Sequence, residues 1–187
     1  MDQFGYLSVL LSIIVGFGIT QILIGFRGIV LSRERVQMYW PTLAWAVLLL
    51  LINVQSWWAM FGMRAIQHWT FPVFGILLTQ TIIQYMLAAI VFPDFSGDES
   101  IDLSTHYRQH TRWFFGLLIF VLIVSLSKDL VVTGRLPDTL NVIFHLIFLT
   151  MSATAVLVAS EKYHQLFPLF GIAIFVAYIV MLFASLH

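Results

Sequence analysis

The chain has 187 residues, of which 60% are hydrophobic and only 10% carry a charged side chain. Soluble domains average about 25% charged residues. This composition therefore excludes an ordinary soluble domain, and a net charge of zero argues against binding nucleic acid. Cysteine is absent, which excludes disulfides, thiol catalysis and thiolate metal ligands. Six apolar stretches of about 20 residues account for most of the length and predict a helical protein that crosses the membrane six times.

In chain order, spans one to three are predicted at 6–26, 41–63 and 72–92, and spans four to six at 113–132, 137–159 and 168–186. The opening Met1-Asp2-Gln3 lacks the basic stretch of a signal peptide. Span one is therefore expected to be a membrane span and not a cleaved signal peptide. Residues 94–112 are predicted to form a polar cytoplasmic loop. Four predicted spans begin at a proline, where a missing N–H has no cost: Pro41, Pro72, Pro137 and Pro168.

The distribution of basic residues predicts how the chain is oriented. Six of them fall beside the connections between spans one and two, three and four, and five and six: Arg27, Arg33, Arg35, Arg108, Arg112 and Lys162. Only Arg64, Arg135 and Lys128 fall toward the other side. Because basic loops stay in the cytoplasm, both termini are predicted on the outer side, most simply of a bacterial inner membrane.

The chain also contains an internal repeat. A shift of 96 residues places the nine residues from His68 to Ile76 over those from His164 to Ile172, with six identities that include the two histidines, Pro72 and Pro168. Each unit, 1–93 and 113–187, has three spans, so the second unit must enter the membrane from the opposite side. The predicted fold is thus all-α, with six transmembrane helices in two inverted three-helix repeats. The motif itself is interpreted as an interfacial anchor that opens a helix, or alternatively as a symmetric pair of gating or ligand histidines.

Polar side chains fall within the predicted spans, where each needs a partner, water or a function. Interhelical hydrogen bonds would satisfy the amides, and Lys128 could extend to the membrane surface. Alternatively, these side chains line a polar pathway between the two halves. The candidate pathway residues are Gln21, Asn53, Gln80, Gln84, Lys128, Asp129 and His145. Small residues on span one predict either close helix packing or one wall of such a pathway: Ser8, Ser12, Gly16, Gly18, Thr20 and Gly25.

No cofactor is expected. Asp102, His106 and His110 recur at intervals of four residues and form a weak candidate metal site. His145 has no second deep histidine with which to hold a haem. The sequence also lacks the paired carboxylates or activated nucleophile of an intramembrane hydrolase, so an enzyme is not expected.

Two functions fit these features. The first is a small transporter or channel for an ion or small solute, with its site between the two inverted repeats. The alternative is a protein that binds lipid or a hydrophobic ligand, or an accessory subunit of a membrane complex without transport activity. The expected partners are the lipid bilayer, a solute, ion or lipid ligand, and further copies of the chain.

Overall fold

Six long helices dominate the computed structural model, which describes residues 3–66, 69–97 and 99–184. They are α1 (Gln3–Leu31), α2 (Trp40–Gly62), α3 (Phe71–Ile90), α4 (Leu103–Thr133), α5 (Thr139–Leu157) and α6 (Glu161–Ala184). A 3₁₀ turn (Met63–Ala65) follows α2, and the short strands β1 (Val36–Gln37) and β2 (Ile101–Asp102) precede α2 and α4. All six helices are long and apolar enough to cross a membrane. The prediction of six candidate transmembrane helices is confirmed.

Three connections lie at the same end of the helix bundle. β1 and β2 pair in parallel, with Val36 opposite Ile101, which joins the α1–α2 connection to the α3–α4 connection. The Tyr39 hydroxyl donates a 2.8 Å hydrogen bond to Glu161, the first residue of α6. We call this end the loop face, and the opposite end, where α1 begins and α6 ends, the terminus face.

The prolines mark helix starts in the first half of the chain but not in the second. Pro41 and Pro72 lie in the first turns of α2 and α3, as predicted. Pro137 lies just before Asp138, which caps α5. Pro168 lies inside α6, so the prediction that span six begins there is wrong. The helix already begins at Glu161, whose negative charge suits a helix N-terminus, and the cost of Pro168 is limited to one lost hydrogen bond and a local clash.

Helix α4 begins well before the predicted start of span four. The Asp102 carboxylate caps it, accepting hydrogen bonds from the Ser104 backbone N–H at 2.9 Å and the Thr105 hydroxyl at 2.6 Å. Leu103 and Tyr107 are both buried, so this first turn is held by packing as well as by its cap. The predicted polar loop 94–112 is therefore helical from residue 103 onward.

Glycines bring α1 close to its neighbours. A Cβ atom on Gly25 would lie 2.0 Å from the Phe92 ring, and one on Gly28 would lie 2.3 Å from the Phe95 ring. A Cβ on Gly16, by contrast, would meet nothing within 4 Å. The packing prediction therefore holds for Gly25. Because a helix turns by about 100° per residue, Gly16 and Gly25 lie on different faces of α1. Only the face bearing Gly25 packs tightly at these two positions.

Candidate functional site

A cavity of about 140 Å³ lies among α2, α3, α4, α5 and α6. It reaches the terminus-face ends of these helices, since Met63 follows the end of α2 and Asn141 lies in the first turn of α5. Both halves of the chain supply polar side chains to its wall: Gln55, Ser56, Gln80, Thr81, Gln84, Ser125, Lys128, Asn141, His145 and Tyr178. The volume is enough for several water molecules.

Two amide oxygens on the cavity wall lack hydrogen-bond partners among the described residues. Gln84 donates through Nε2 to the Ser56 hydroxyl at 2.8 Å, but its Oε1 is buried and unpaired. Asn141 donates through Nδ2 to Asp129 at 3.3 Å, and its Oδ1 is likewise buried and unpaired. An unpaired buried acceptor costs about 1–3 kcal/mol, so both oxygens favour water or a ligand in the cavity.

Lys128 is the only Asp, Glu, Lys or Arg residue among the described residues that line the cavity. No carboxylate oxygen in the described part of the chain lies within 4 Å of its ammonium group. Asp129 follows it directly on α4 but does not line the cavity, because adjacent helical residues point in different directions. Lys128 therefore places a basic amino group on the wall with no carboxylate in contact among the described residues.

His145 presents a titratable ring to the same cavity. Its Nδ1–H donates to the Asn141 backbone carbonyl at 2.8 Å, and the residue is only 7% exposed. In the neutral ring this bond leaves Nε2 as a hydrogen-bond acceptor. The cavity wall thus combines a basic amino group, two residues with unpaired amide oxygens and an imidazole acceptor.

Four aromatic side chains close the cavity toward the loop face. Trp45 lines the cavity and is only 1% exposed. Its ring centroid lies 5.2 Å from that of Phe114, 5.5 Å from Phe115 and 5.0 Å from Phe167, all in edge-to-face geometry. We call these four residues the aromatic layer. Edge-to-face pairs at these distances are stabilising, so the layer is a packed barrier.

A polar cluster lies between the aromatic layer and the loop face; it consists of Tyr39, Tyr107, Glu161 and His164. Tyr107 donates its hydroxyl proton to His164 Nδ1 at 2.9 Å, and His164 Nε2–H donates to the Val158 carbonyl at 2.9 Å. Burial, with the hydrogen bond to Glu161, raises the pKa of Tyr39 above its ordinary value. We call this set the loop-face cluster, and its members satisfy one another.

The structure brings together four of the seven candidate pathway residues. Gln80, Gln84, Lys128 and His145 all line the cavity. Asp129 touches the site only through Asn141, whose amide donates to its carboxylate.

Gln21 and Asn53 lie elsewhere. Gln21 lines a separate cavity of about 430 Å³ beneath the α3–α4 connection at the loop face. Asn53 is fully buried; its Nδ2 donates to the Leu49 carbonyl at 2.8 Å. Its Oδ1 would lie 3.0 Å from a Cβ on Gly18, so it faces α1 rather than the cavity. Gln21 lies on α1 and Asn53 faces it, and α1 contributes no residue to the central cavity.

The repeat motif splits between two environments. His164 belongs to the loop-face cluster, while His68 lies outside the described residues. Pro72 opens α3, whereas its counterpart Pro168 lies inside α6.

The weak metal candidate does not assemble. Asp102 caps α4, His106 Nε2–H donates to the Ile90 carbonyl at 3.0 Å, and His110 Nδ1–H donates to the His106 carbonyl at 2.9 Å. No group of three His, Cys, Asp or Glu side chains within the described ranges could hold a metal ion.

Sequence reasoning missed several residues of the site, namely Ser56, Ser125, Asn141 and Tyr178. Two of them carried a usable signal. Ser125 precedes Lys128 by three residues and Asn141 precedes His145 by four, spacings that share a helix face. The members of the loop-face cluster Tyr39, Tyr107 and Glu161 were also missed, since their partners come from distant parts of the chain.

No family model matches the chain, and comparisons with curated proteins and with solved structures find no significant match. Function must therefore be argued from these residues and their geometry.

Proposed function

We propose that the protein is a small membrane transporter or channel whose substrate site is the central cavity. The observation that carries this proposal is a pair of buried, unpaired amide oxygens on Gln84 in the first half of the chain and Asn141 in the second, two residues that line the cavity together with Lys128. A bundle selected only for stability would pair such groups or replace them with apolar ones. Buried polar groups inside a membrane protein that remain available to a solute commonly mark a pathway.

The closure of the cavity on one side supports transport over a purely structural role. The aromatic layer and the loop-face cluster fill the bundle between the cavity and the loop face. A transporter exposes its site to one side of the membrane at a time. The described arrangement has the form of such a state, with access from the terminus face.

We further propose the inverted repeat and the orientation predicted from the sequence. The identities around Pro72 and Pro168 support the repeat. The packing of the two units differs, however: α1 packs along α3, whereas α4, its counterpart, packs against α3 and α5. The basic residues near the loop face, among them Arg33, Arg35 and Lys162, support a cytoplasmic loop face in a bacterial inner membrane. Association into homo-oligomers is expected as well, and sedimentation in detergent would measure it.

The proposal is tested by solute entry into proteoliposomes. Vesicles that contain the protein are mixed with hyperosmotic potassium chloride, sodium butyrate, urea or glycerol, and light scattering follows shrinkage and reswelling. We expect at least one of these probes to enter faster than into protein-free vesicles. We also expect Lys128→Ala or His145→Ala to change that rate, because both side chains line the cavity.

Lys162→Ala is the matched control, since it removes the same charge from an exposed site at the loop face. Entry rates equal to those of protein-free vesicles for every probe would contradict the proposal. Rates that change equally in the Lys128→Ala and Lys162→Ala variants would remove Lys128 from the mechanism.

A groove on the outer surface favours the second candidate function, binding of a lipid or hydrophobic ligand. It measures about 390 Å³ and lies between α1 and α2 toward the terminus face, lined by Phe4, Ser8, Ser12, Trp57, Trp58, Met60 and Phe61. Stoichiometric lipid in the purified protein, lost on Trp57→Ala substitution, together with no solute entry, would support this function over transport.

A further inference from the structure

The central cavity has a charge imbalance. Lys128 supplies a basic side chain, while no described carboxylate lines the wall. The nearest acidic neighbour along the helix, Asp129, accepts a hydrogen bond from Asn141 instead of an ion pair from Lys128. A desolvated ammonium group without a contacting counter-ion is unfavourable, and an anion that enters the cavity removes this cost.

The rest of the wall limits the kind of anion. Leu118, Phe148 and Phe175 make part of the lining apolar, and the Gln84 and Asn141 oxygens accept hydrogen bonds from water or from donors on the ligand. A volume of about 140 Å³ excludes a whole lipid. The space fits a small organic anion or the anionic headgroup of a lipid whose acyl chains remain outside.

We infer that the central cavity binds the anionic group of a small amphiphilic molecule, with Lys128 as its counter-ion. This inference rests on the proposed function in that it names the substrate class of the same site. The shared chemistry is a single carboxylate or phosphate group attached to an apolar body. Its source is a soluble short-chain carboxylate or an anionic phospholipid, and the experiment distinguishes the two.

Because the natural chain has no cysteine, one introduced thiol reports on one position. Ser125→Cys places it on the cavity wall, one helical turn before Lys128. The protein, in phosphatidylcholine vesicles, is treated with an anionic methanethiosulfonate (sulfonatoethyl) or a cationic one (trimethylammonioethyl). Each rate of modification is divided by the rate at which the same reagent reacts with 2-mercaptoethanol, which corrects for the intrinsic reactivity of the reagent.

We expect the anionic reagent to react about tenfold faster than the cationic one, because a buried positive charge raises the local anion concentration. Lys128→Gln should bring the two normalised rates together, whereas Asp129→Asn should preserve or increase the preference. The preference of the Ser125→Cys protein for the anionic reagent is measured with Lys128 present. This measurement therefore tests the inference even if the Lys128→Gln variant does not fold.

The source of the anion follows from protection. Slower modification in the presence of sodium butyrate supports a soluble carboxylate. Slower modification by both reagents, including the cationic one, only when phosphatidylglycerol replaces part of the phosphatidylcholine supports a lipid headgroup, because a negative surface alone would slow the anionic reagent and speed the cationic one. Protection by neither probe, or equal normalised rates for the two reagents, would overturn the anion site while leaving solute entry to be judged by the vesicle assay. Failure of Ser125→Cys to react with either reagent would contradict both this inference and the proposed access from the terminus face.

Discussion

The two ends of the helix bundle use polar residues in different ways. At the loop face, Tyr39 and Glu161, and likewise Tyr107 and His164, form hydrogen bonds between different parts of the chain. Deeper in the bundle, Gln84 and other polar side chains instead surround a cavity that reaches the terminus face, and some of their atoms have no partner among the described residues.

The difference separates polar groups that hydrogen-bond between helices from polar groups that we propose bind a ligand. Within a membrane both kinds would give the same hydropathy signal, since each is a polar residue in an apolar stretch. Position relative to the cavity distinguishes them, because Thr42 Oγ1 and Ser152 Oγ are also buried and unpaired but lie outside the cavity lining, whereas Gln84 and Asn141 belong to it. The loop-face end is expected to contribute stability, and the cavity end to contribute binding and transport.

The largest expected effect comes from breaking the aromatic layer between the two ends. Trp45→Ala removes a buried ring that contacts Phe115 and Phe167, and we expect it to destabilise the protein by about 3–5 kcal/mol. Trp113→Ala is the control, because Trp113 is 72% exposed. Unfolding by titration with sodium dodecyl sulfate measures both. Equal losses of stability would show that the aromatic layer is not tightly packed.

A smaller effect is expected where α1 meets the loop-face end of α3. Gly25→Ala places a Cβ within 2.0 Å of the Phe92 ring, so we expect a loss of about 1–3 kcal/mol as the ring is displaced. Gly16→Ala meets no atom within 4 Å and should be neutral or slightly stabilising, because alanine favours helices. Thermal unfolding compares the two variants, and a neutral Gly25→Ala would contradict the described contact.

The loop-face cluster should contribute a further, smaller share of stability. Tyr39→Phe removes the hydrogen bond to Glu161 while keeping the ring, so we expect a loss of about 1.5 kcal/mol. Arg108→Ala should cost less, because its 3.8 Å ion pair with Glu161 is largely exposed. Unfolding titrations of both variants check the order, and the reverse order would contradict the account of this cluster.

The smallest effect is expected at the cap of α4. Asp102→Ala should cost about 1 kcal/mol, and Asp102→Asn much less, because asparagine also caps helices. Hydrogen bonds from Thr105 and Ser104 lower the pKa of Asp102, so its contribution is complete above the unfolded value of about 3.9 and is lost as pH falls below it. Stability measured at pH 3 and at pH 7 should therefore differ less in Asp102→Asn than in the natural chain. Equal pH dependence would contradict this role.

Helix number and approximate position could be predicted from the sequence because hydrophobic length alone determines them. Helix ends could not always be predicted. Pro41 and Pro72 open helices, but Pro168 does not, because α6 already begins at Glu161, which accepts a hydrogen bond from Tyr39. The start of α4 was missed for a similar reason, since its cap at Asp102 lies outside the apolar stretch.

The candidate site was predicted in part. Lys128 and His145 were expected at membrane depth, and both line the cavity. Gln21 and Asn53 do not, because the depth of a residue in the membrane does not indicate which neighbouring helix its side chain contacts. The pairing of Asn141 with Asp129 depends on how α4 and α5 pack, which one sequence does not reveal.

We expect water to reach the central cavity from the terminus face, while the aromatic layer closes the path from this cavity to the loop face. Ser125→Cys and Ser152→Cys test it most directly. Ser125 lines the cavity, whereas Ser152 is fully buried near the loop-face end of α5 and lies outside the cavity lining. A small membrane-impermeant thiol reagent should modify Ser125→Cys and leave Ser152→Cys unreacted, as mass spectrometry of the intact protein would show. Modification of Ser152→Cys alone, or of neither thiol, would contradict the claim.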